Sequence, residues 1–365
     1  MRYFCTYFDH GYLQRGLALY ASLRRHAVAF RLWVLCMDEI SYQTLVRLAL
    51  PGVELIALHD FERGDEELLR AKDTRSKVEY YFTCTPSLPL YIMAHWPEVD
   101  LITYLDADLY FFADPQPLFD ALGTGSITII AHRFAPQLRH LAENGVYNVG
   151  WLSFRRDANG LACLRWWRER CNEWCYDRIE PERFADQKYL DDWPQRFTGV
   201  VVLTHKGANL APWNVANYQL TTRGGQIWVD EDPLIFFHFH AFRQPQQWVY
   251  DHRLDVYKVQ PSMLLLRQIY VPYIQMLAAL RLANQPELHR HVPGRIERRL
   301  SDWLDPHQHV VPGRYLQWLG KTLDLAWGLL IGRYILVSRE GRLYYLGSML
   351  WPEDLGALNS ELKNA

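Results

Sequence analysis

The first 130 residues alternate short β-branched and aromatic runs with segments of helical period, and this alternation restricts the fold more than any other feature. RYFCTYF is followed by LQRGLALYASLRRH, in which Leu13, Leu17 and Tyr20 fall on one helical face. FRLWVLCM and VELIALH supply a second and a third apolar run. KVEYYFTCTPSLPLYIMAHW reads as partly helical, and DLITYLDADLYFF and SITIIAHR continue the series. Strands that alternate with helices predict an α/β, Rossmann-like fold with a mostly parallel central sheet. In open sheets of this class ligands bind beyond the carboxyl ends of the strands, and here those ends carry Tyr7, Asp9, Asp106 and Asp108.

From about Gln246 the pattern changes to longer helical segments, PSMLLLRQIYVPYIQMLAALRLA and YLQWLGKTLDLAWGLLIGRYILV, joined by Pro-Gly-Arg turns. The reading is a domain over 1–250 and a helical region over 251–365. With 365 residues, 49% of them apolar, there is ample material for a large core. The balance of 39 basic and 41 acidic residues gives no general attraction for nucleic acid. Six cysteines without a CxxC pair, and an opening MRYFCTYFDHGY that lacks the charge and apolar block of a secretory leader, predict a reduced, cytoplasmic chain that starts at Met1. Cys171 and Cys175 share a helical period with Leu164, Trp167 and Trp174 and read as core thiols. No run reaches the roughly 18 uncharged apolar residues of a membrane span.

YLDADLYFF (104–112) poses an electrostatic question. On an extended chain residues i and i+2 project to one side, so Asp106 and Asp108 can offer oxygens to one cation. Spacing alone is poor evidence, because Asp230 and Asp232 repeat it in VDEDP, a turn-like segment. The apolar neighbours Ile102, Tyr104, Leu109, Phe111 and Phe112 matter more: carboxylates left unneutralised among them would be costly to desolvate.

Further motifs follow in order. YNVGWLSFRRD (147–157) carries an Asn-x-Gly element, ADQKYLDDW (185–193) an Asp-Gln pair, HKGANLAPWN (205–214) a Pro/Trp/Asn loop, and FFHFHAF (236–242) two histidines on an apolar strand. This series resembles the retaining GT-A glycosyltransferases of the family of glycogenin and the bacterial lipo-oligosaccharide galactosyltransferases, across roughly residues 1–250. The resemblance implies a GT-A fold and transfer of a sugar from a nucleotide-diphosphate donor, with UDP-hexose expected, to a hydroxyl of a glycan or glycolipid acceptor, with retention. It implies that Asp106 and Asp108 hold a divalent metal, with Ala107 between them on the donor, and that a histidine of FFHFHAF completes the set. A mixed oxygen and imidazole set suits Mn²⁺ better than Mg²⁺. His238 matches the family's His-aromatic pattern and His240 its spacing to a following tryptophan, so both stand as candidates. The family's Gly-x-x-Lys-Pro-Trp tail is replaced by AFRQPQQW, leaving Arg243 as the basic residue in place of the lysine.

By the same resemblance Tyr7, Asp9 and Tyr12 receive the nucleotide base, with helix N-capping as an alternative role for Asp9. Arg75 and Lys77 approach the diphosphate, with a solvated surface cluster as their alternative. Asp186 and Gln187 border the reacting carbon, while Asn148 and Gly150 shape the sugar and acceptor pocket. A haloacid-dehalogenase phosphatase would place its Asp-x-Asp after the first strand and follow it with Thr or Val, where this chain has Tyr110. A non-catalytic nucleotide-sugar-binding protein is the other rival. In the C-terminal region Gln317, Lys321, Asp324 and Gly328 form one narrow polar stripe on an apolar, aromatic helix, which suits a peripheral membrane contact or packing against the catalytic domain or a second subunit.

Overall fold

The computed structural model describes residues 1–27, 29–246, 248–284, 325, 328, 332–337 and 343–344. Residue contacts divide the chain into two units, Met1–His240 and Ala241–Ala365, a division that falls after His240 where composition placed a change near residue 250.

The first unit opens with β1 (Arg2–Phe8), α1 (Leu13–His26), β2 (Phe30–Cys36), α2 (Glu39–Leu48) and β3 (Val53–Ala57). The helices α3 (Leu58–Phe61), α4 (Glu66–Thr74) and α5 (Lys77–His95) lead to β4 (Leu101–Leu105) and β5 (Leu109–Phe111). After them come α6 (Gln116–Leu122), β6 (Ile127–Ala131), β7 (Tyr147–Arg155), α7 (Ala158–Glu173) and β8 (Val200–Leu203). Seven strands form one sheet in the order β3-β2-β1-β4-β7-β6-β8. β7 pairs antiparallel with both β4 and β6, whereas the β1–β2, β2–β3, β1–β4 and β6–β8 pairs are parallel. The sheet is thus mostly parallel, as the alternation predicts. Because β7 alone is reversed, its beginning lies at the edge where the other six strands end. One edge therefore gathers Tyr7, Asp106, His132, Asn148 and His205.

α5 is helical throughout, despite Pro86 and Pro89 in its interior. Its start is secured by a capping box, Ser76 with Glu79, and its buried face, including Cys84, Leu88 and Ile92, packs in the same core as Cys163, Leu164, Trp167 and Cys171 of α7. Burying such side chains contributes about 1.5–3 kcal/mol each, enough to offset two interior prolines at about 3 kcal/mol each. All six cysteines are buried and free, including Cys171 and Cys175 in this core.

β9 (Leu220–Arg223), β10 (Gln226–Val229) and β11 (Asp232–Pro233) make a small antiparallel sheet. Beyond it β12 (Phe236–His238) pairs antiparallel with β5, with Phe236 opposite Phe111 and His238 opposite Leu109. Phe236 also stacks on Trp151 of β7 at 5.7 Å, which fixes the ribbon to the main sheet. Gly207 lets the preceding loop approach this segment: its carbonyl accepts from the Ile235 N–H at 2.8 Å, and a Cβ there would lie 1.9 Å from the Pro233 carbonyl oxygen.

In the second unit β13 (Arg243–Gln246), β14 (Val249–Asp251), β15 (Tyr334–Val337) and β16 (Leu343–Tyr344) form an antiparallel sheet. A π-helical turn, Leu265–Tyr270, continues into the helix Val271–Asn284. The region is therefore not purely helical: RYILV, read as the end of a helix, contains β15, whose Tyr334 and Ile335 are buried. Of the polar stripe, Gln317, Lys321 and Asp324 lie outside the described residues. Among the described residues no helix is long and apolar enough to cross a membrane.

Replacing Gly207 by alanine forces the backbone of the β11–β12 connection to move. A loss of about 2–3 kcal/mol is expected in urea unfolding, with the midpoint lowered and the slope unchanged.

Candidate functional site

Asp106 leaves β4 and Asp108 precedes β5, so the pair occupies the turn between two buried strands. The Asp106 N–H donates to the Gly150 carbonyl at 3.1 Å, and the Leu109 N–H closes the turn onto the Asp106 carbonyl at 3.2 Å. Ala107 is buried between them. The register of β12 decides which histidine arrives. His238 pairs opposite Leu109, and the Phe239 N–H donates to the Asp108 carbonyl at 3.0 Å, so the His238 imidazole lies on the carboxylates. Its Nε2 is 3.1 Å from Asp108 Oδ1 and 3.6 Å from Asp106 Oδ2. Among the described residues Asp106, Asp108 and His238 are the group whose donor atoms converge closely enough for one ion. His240 lies beyond the end of β12, exposed, with its ring 5.8 Å from that of His238 and 5.4 Å from that of Trp213.

The electrostatics of the three groups are interdependent. Burial pushes the Asp106 carboxyl up to about 6, with His238 opposing and Asp108 adding to the rise. Asp108 is buried too, yet the charge and hydrogen bond of His238, helped by Arg15, hold it well below the usual carboxylate range. Burial works against the His238 imidazolium, but Asp108 and Asp106 carry its pKa upward. The Nε2 proton of His238 thus occupies the place between the carboxylates where a cation would bring both oxygens and the imidazole nitrogen to one centre. The donor set fits a borderline divalent metal.

Gly150 explains the Asn-x-Gly element. A Cβ at Gly150 would lie 2.6 Å from Asn148 Oδ1 and 2.9 Å from His238 Nδ1, so only glycine lets the imidazole pack here. Asn148 Oδ1 also accepts the Gly150 N–H at 3.0 Å. Asn148 Nδ2 faces His132 Nε2 at 3.4 Å and Gln187 Oε1 at 3.5 Å. Asp186 is buried beside this group, positioned after Ala185 with its positive φ of 46° and tied through its carbonyl to Trp167 Nε1 at 2.8 Å. Burial pushes its carboxyl up to about 7, with a hydrogen bond from Thr85 opposing and Asp106 adding. Thr85 also bonds the Tyr7 hydroxyl at 3.0 Å, and the Tyr104 hydroxyl donates to Asp106 Oδ1 at 2.9 Å.

Asp9 accepts from Lys77 Nζ at 2.6 Å, the Tyr81 hydroxyl at 3.2 Å and the Gly11 N–H at 2.9 Å. It closes a turn ahead of α1, whose capping position is Tyr12, so it is not the N-cap of that helix. Tyr12 is 44% exposed, and the Arg15 guanidinium lies 4.2 Å from its ring centroid. Arg75 is not brought to the carboxylates: its guanidinium donates to Thr83 Oγ1 and, at 2.6 Å, to the Asn172 carbonyl at the end of α7. Arg243 is exposed in β13, opposite Asp251. The second Asp-x-Asp pair is satisfied by protein: Lys206 Nζ reaches Asp230 at 3.0 Å and its N–H donates to Asp232 at 2.7 Å.

The Bacillus subtilis protein YfnD, itself uncharacterized, is 31% identical over 275 residues, covering 74% of this chain and 87% of its own. The chain belongs to the YfnD family. A second uncharacterized Bacillus subtilis protein, YfnF, is 34% identical over 250 residues, 66% of this chain and 81% of its own. No family model matches. Among solved structures, the galactosyltransferase LgtC in complex with donor and acceptor sugar analogues covers 67% of this chain and 89% of its own, at 16% identity and a TM-score of 0.43.

Sequence reasoning about this YfnD relative passed over His132, Tyr104, Thr85 and Arg15. His132 follows β6, at the same sheet edge as Asp106; the strand-end position is its one local signal, and its partners Val146 and Asn148 come to it only through the pairing of β6 with β7. Thr85 lies inside α5 and carries no local signal.

The raised pKa of Asp186 sets a sign. Between about pH 4 and pH 7 the folded chain retains a proton that the unfolded chain has lost, so the contribution of Asp186 to stability declines as pH rises through that window. The Asp186→Asn variant has no carboxyl here and lacks this decline. Its stability relative to wild type is expected to increase by about 2 kcal/mol from pH 5 to pH 7 in parallel denaturant titrations.

Proposed function

We propose that this protein is a metal-dependent GT-A glycosyltransferase that moves a sugar, with retention, from a UDP-hexose to a hydroxyl of a growing or lipid-linked glycan. One observation carries the reading. Three donor atoms from segments far apart in sequence converge at the strand-end edge, Asp106 and Asp108 from the β4–β5 turn and His238 from β12. The same edge collects the Asn-x-Gly and Asp-Gln elements in the order that the sequence reading expects.

In this reading Asp106, Asp108 and His238 hold the ion, and Mn²⁺ suits their mixed oxygen and nitrogen set. Bound there, the metal would supply Lewis-acid stabilisation to the leaving diphosphate. Tyr7, Asp9 and Tyr12 receive the uracil, and Lys77, exposed at its ion pair with Asp9, offers positive charge to the diphosphate. Arg15, whose charge Asp108 feels, joins it from α1. Asp186, Gln187 and Asn148 line the sugar. The bond from the anomeric carbon to the diphosphate oxygen breaks, the bond to the acceptor oxygen forms, and the acceptor hydroxyl passes its proton to the departing diphosphate oxygen, which leaves with the nucleotide. Asp186, largely uncharged up to about pH 7, can donate a hydrogen bond to the sugar as well as accept one. The second unit serves acceptor, membrane-surface or oligomer contacts on the cytoplasmic side.

A thermal-shift panel of UDP-sugars with and without Mn²⁺ tests the assignment, followed by turnover of the sugar that responds. Stabilisation by one UDP-sugar only when Mn²⁺ is present, and turnover abolished by chelator, are expected. Asp108→Asn and His238→Ala should each lower turnover by about 10³-fold or more and abolish the Mn²⁺ response, His238→Ala also lowering the apo melting temperature because it leaves two buried carboxylates without their imidazole, and His240→Ala should retain the Mn²⁺ response. Binding of a UDP-sugar without turnover would make the chain a binding protein instead.

A further inference from the structure

The nitrogen of His238 that faces away from the carboxylates is a loose end. Nδ1 is buried and has no hydrogen-bond partner among the described residues. A histidine that binds a metal through one ring nitrogen ordinarily donates the N–H of the other to an acceptor that fixes its tautomer and tilt. The atom that shares its surroundings is Asn148 Oδ1, since both flank the space left by the absent side chain of Gly150. An amide can turn either its oxygen or its nitrogen to that space, and only the oxygen can accept.

The neighbouring bonds determine which. At one end His132 Nδ1 lies 3.2 Å from the Val146 carbonyl oxygen. A carbonyl only accepts, so Nδ1 carries the proton and Nε2 is bare. Burial keeps that ring neutral, lowering its pKa to about 3. At the other end Gln187 Nε2 donates to the Asn144 carbonyl at 3.0 Å, so Gln187 Oε1 is the atom turned to Asn148. Asn148 therefore meets two acceptors, His132 Nε2 at 3.4 Å and Gln187 Oε1 at 3.5 Å, and must give both its hydrogens to them. Its oxygen is left for the Gly150 N–H at 3.0 Å, with one lone pair still open. The two bonds to Nδ2 are long, as expected of a pocket that tightens on binding. His132 is itself held in place, stacked on Phe134 at 4.5 Å and edge-on to Trp213 at 5.1 Å, and the Asn214 side chain donates to its carbonyl at 2.8 Å.

We propose that His132 is a positioning residue for the metal ligand: it commits the Asn148 amide to one orientation, and the Asn148 oxygen then receives the Nδ1–H of His238 as Nε2 turns to the ion. The inference rests on the metal-dependent reading above, but Mn²⁺ binding tests it without turnover. Mn²⁺ is titrated into the full-length protein, with and without UDP, and free ion is followed by its paramagnetic resonance signal. His132→Phe keeps the stacked ring but removes the acceptor, and Mn²⁺ affinity should fall about tenfold or more. His132→Gln restores an acceptor at the position of Nε2 and should recover most of the loss. In an Asn148→Ala background, where there is no amide to orient, His132→Phe should have no further effect. Wild-type affinity in His132→Phe, or an equal loss in both backgrounds, would overturn the inference while leaving the metal site standing. If the wild type bound no Mn²⁺ under either condition, the metal-dependent reading would fall and the inference with it.

Discussion

Two carboxylates held on an apolar strand end by a single imidazole are the constraint around which the rest of this site is arranged. Asp106 and Asp108 cannot both stay charged in such surroundings without positive charge between them. His238 provides it at 3.1 Å from Asp108 and 3.6 Å from Asp106. Gly150 must lack a side chain to admit that imidazole, and β12 must pair with β5 in a register that sets His238 opposite Leu109. Trp151 against Phe236 holds the ribbon in place.

Much of this was legible in the sequence, and for physical reasons. Strands buried on both faces must be apolar runs and the helices between them must be amphipathic, so β1 to β4 and the parallel sheet declare themselves. Asp106 and Asp108 stood out because carboxylates are rare at the end of such a run. Asp230 and Asp232 show why spacing cannot carry that argument: the Lys206 ammonium pairs with Asp230 and the Lys206 backbone N–H donates to Asp232. The structure sets His238, and not His240, on the two carboxylates, a placement FFHFHAF alone does not give because a strand register is a long-range property. Where β12 meets β5 depends on partners far along the chain, Phe236 against Trp151 and the loop held by Gly207, and not on FFHFHAF alone.

What the sequence does not announce shares a cause. The Arg75 guanidinium bonds Thr83 and the Asn172 carbonyl at the end of α7, and α7 lies far along the sequence. His132 matters through bonds to Val146 and Asn148, which only the pairing of β6 with β7 brings to it. RYILV has the β-branched content of a strand, and the helical period of the residues before it masked that content. Local pattern marks elements well, whereas side-chain allegiance between elements is settled by tertiary packing.

The pairing of β5 with β12 also bears on how the chain reaches this state. β5 and β12 are separated by much of the first unit's sequence, and ordering so long a loop before its contacts are gained is slow. As the chain leaves the ribosome, the β4–β5 turn emerges with its two acids and waits through β6, β7, α7 and β8 for its histidine. During that interval the turn has Arg15 of α1 and the Tyr104 hydroxyl but not the imidazole, so solvent or a proton must supply the rest of the balance. Closure of the ribbon is therefore suited to be a late event, one that completes the core under Trp151 and the cluster of Asp106, Asp108 and His238 in the same step, so that a first unit with an open ribbon has neither.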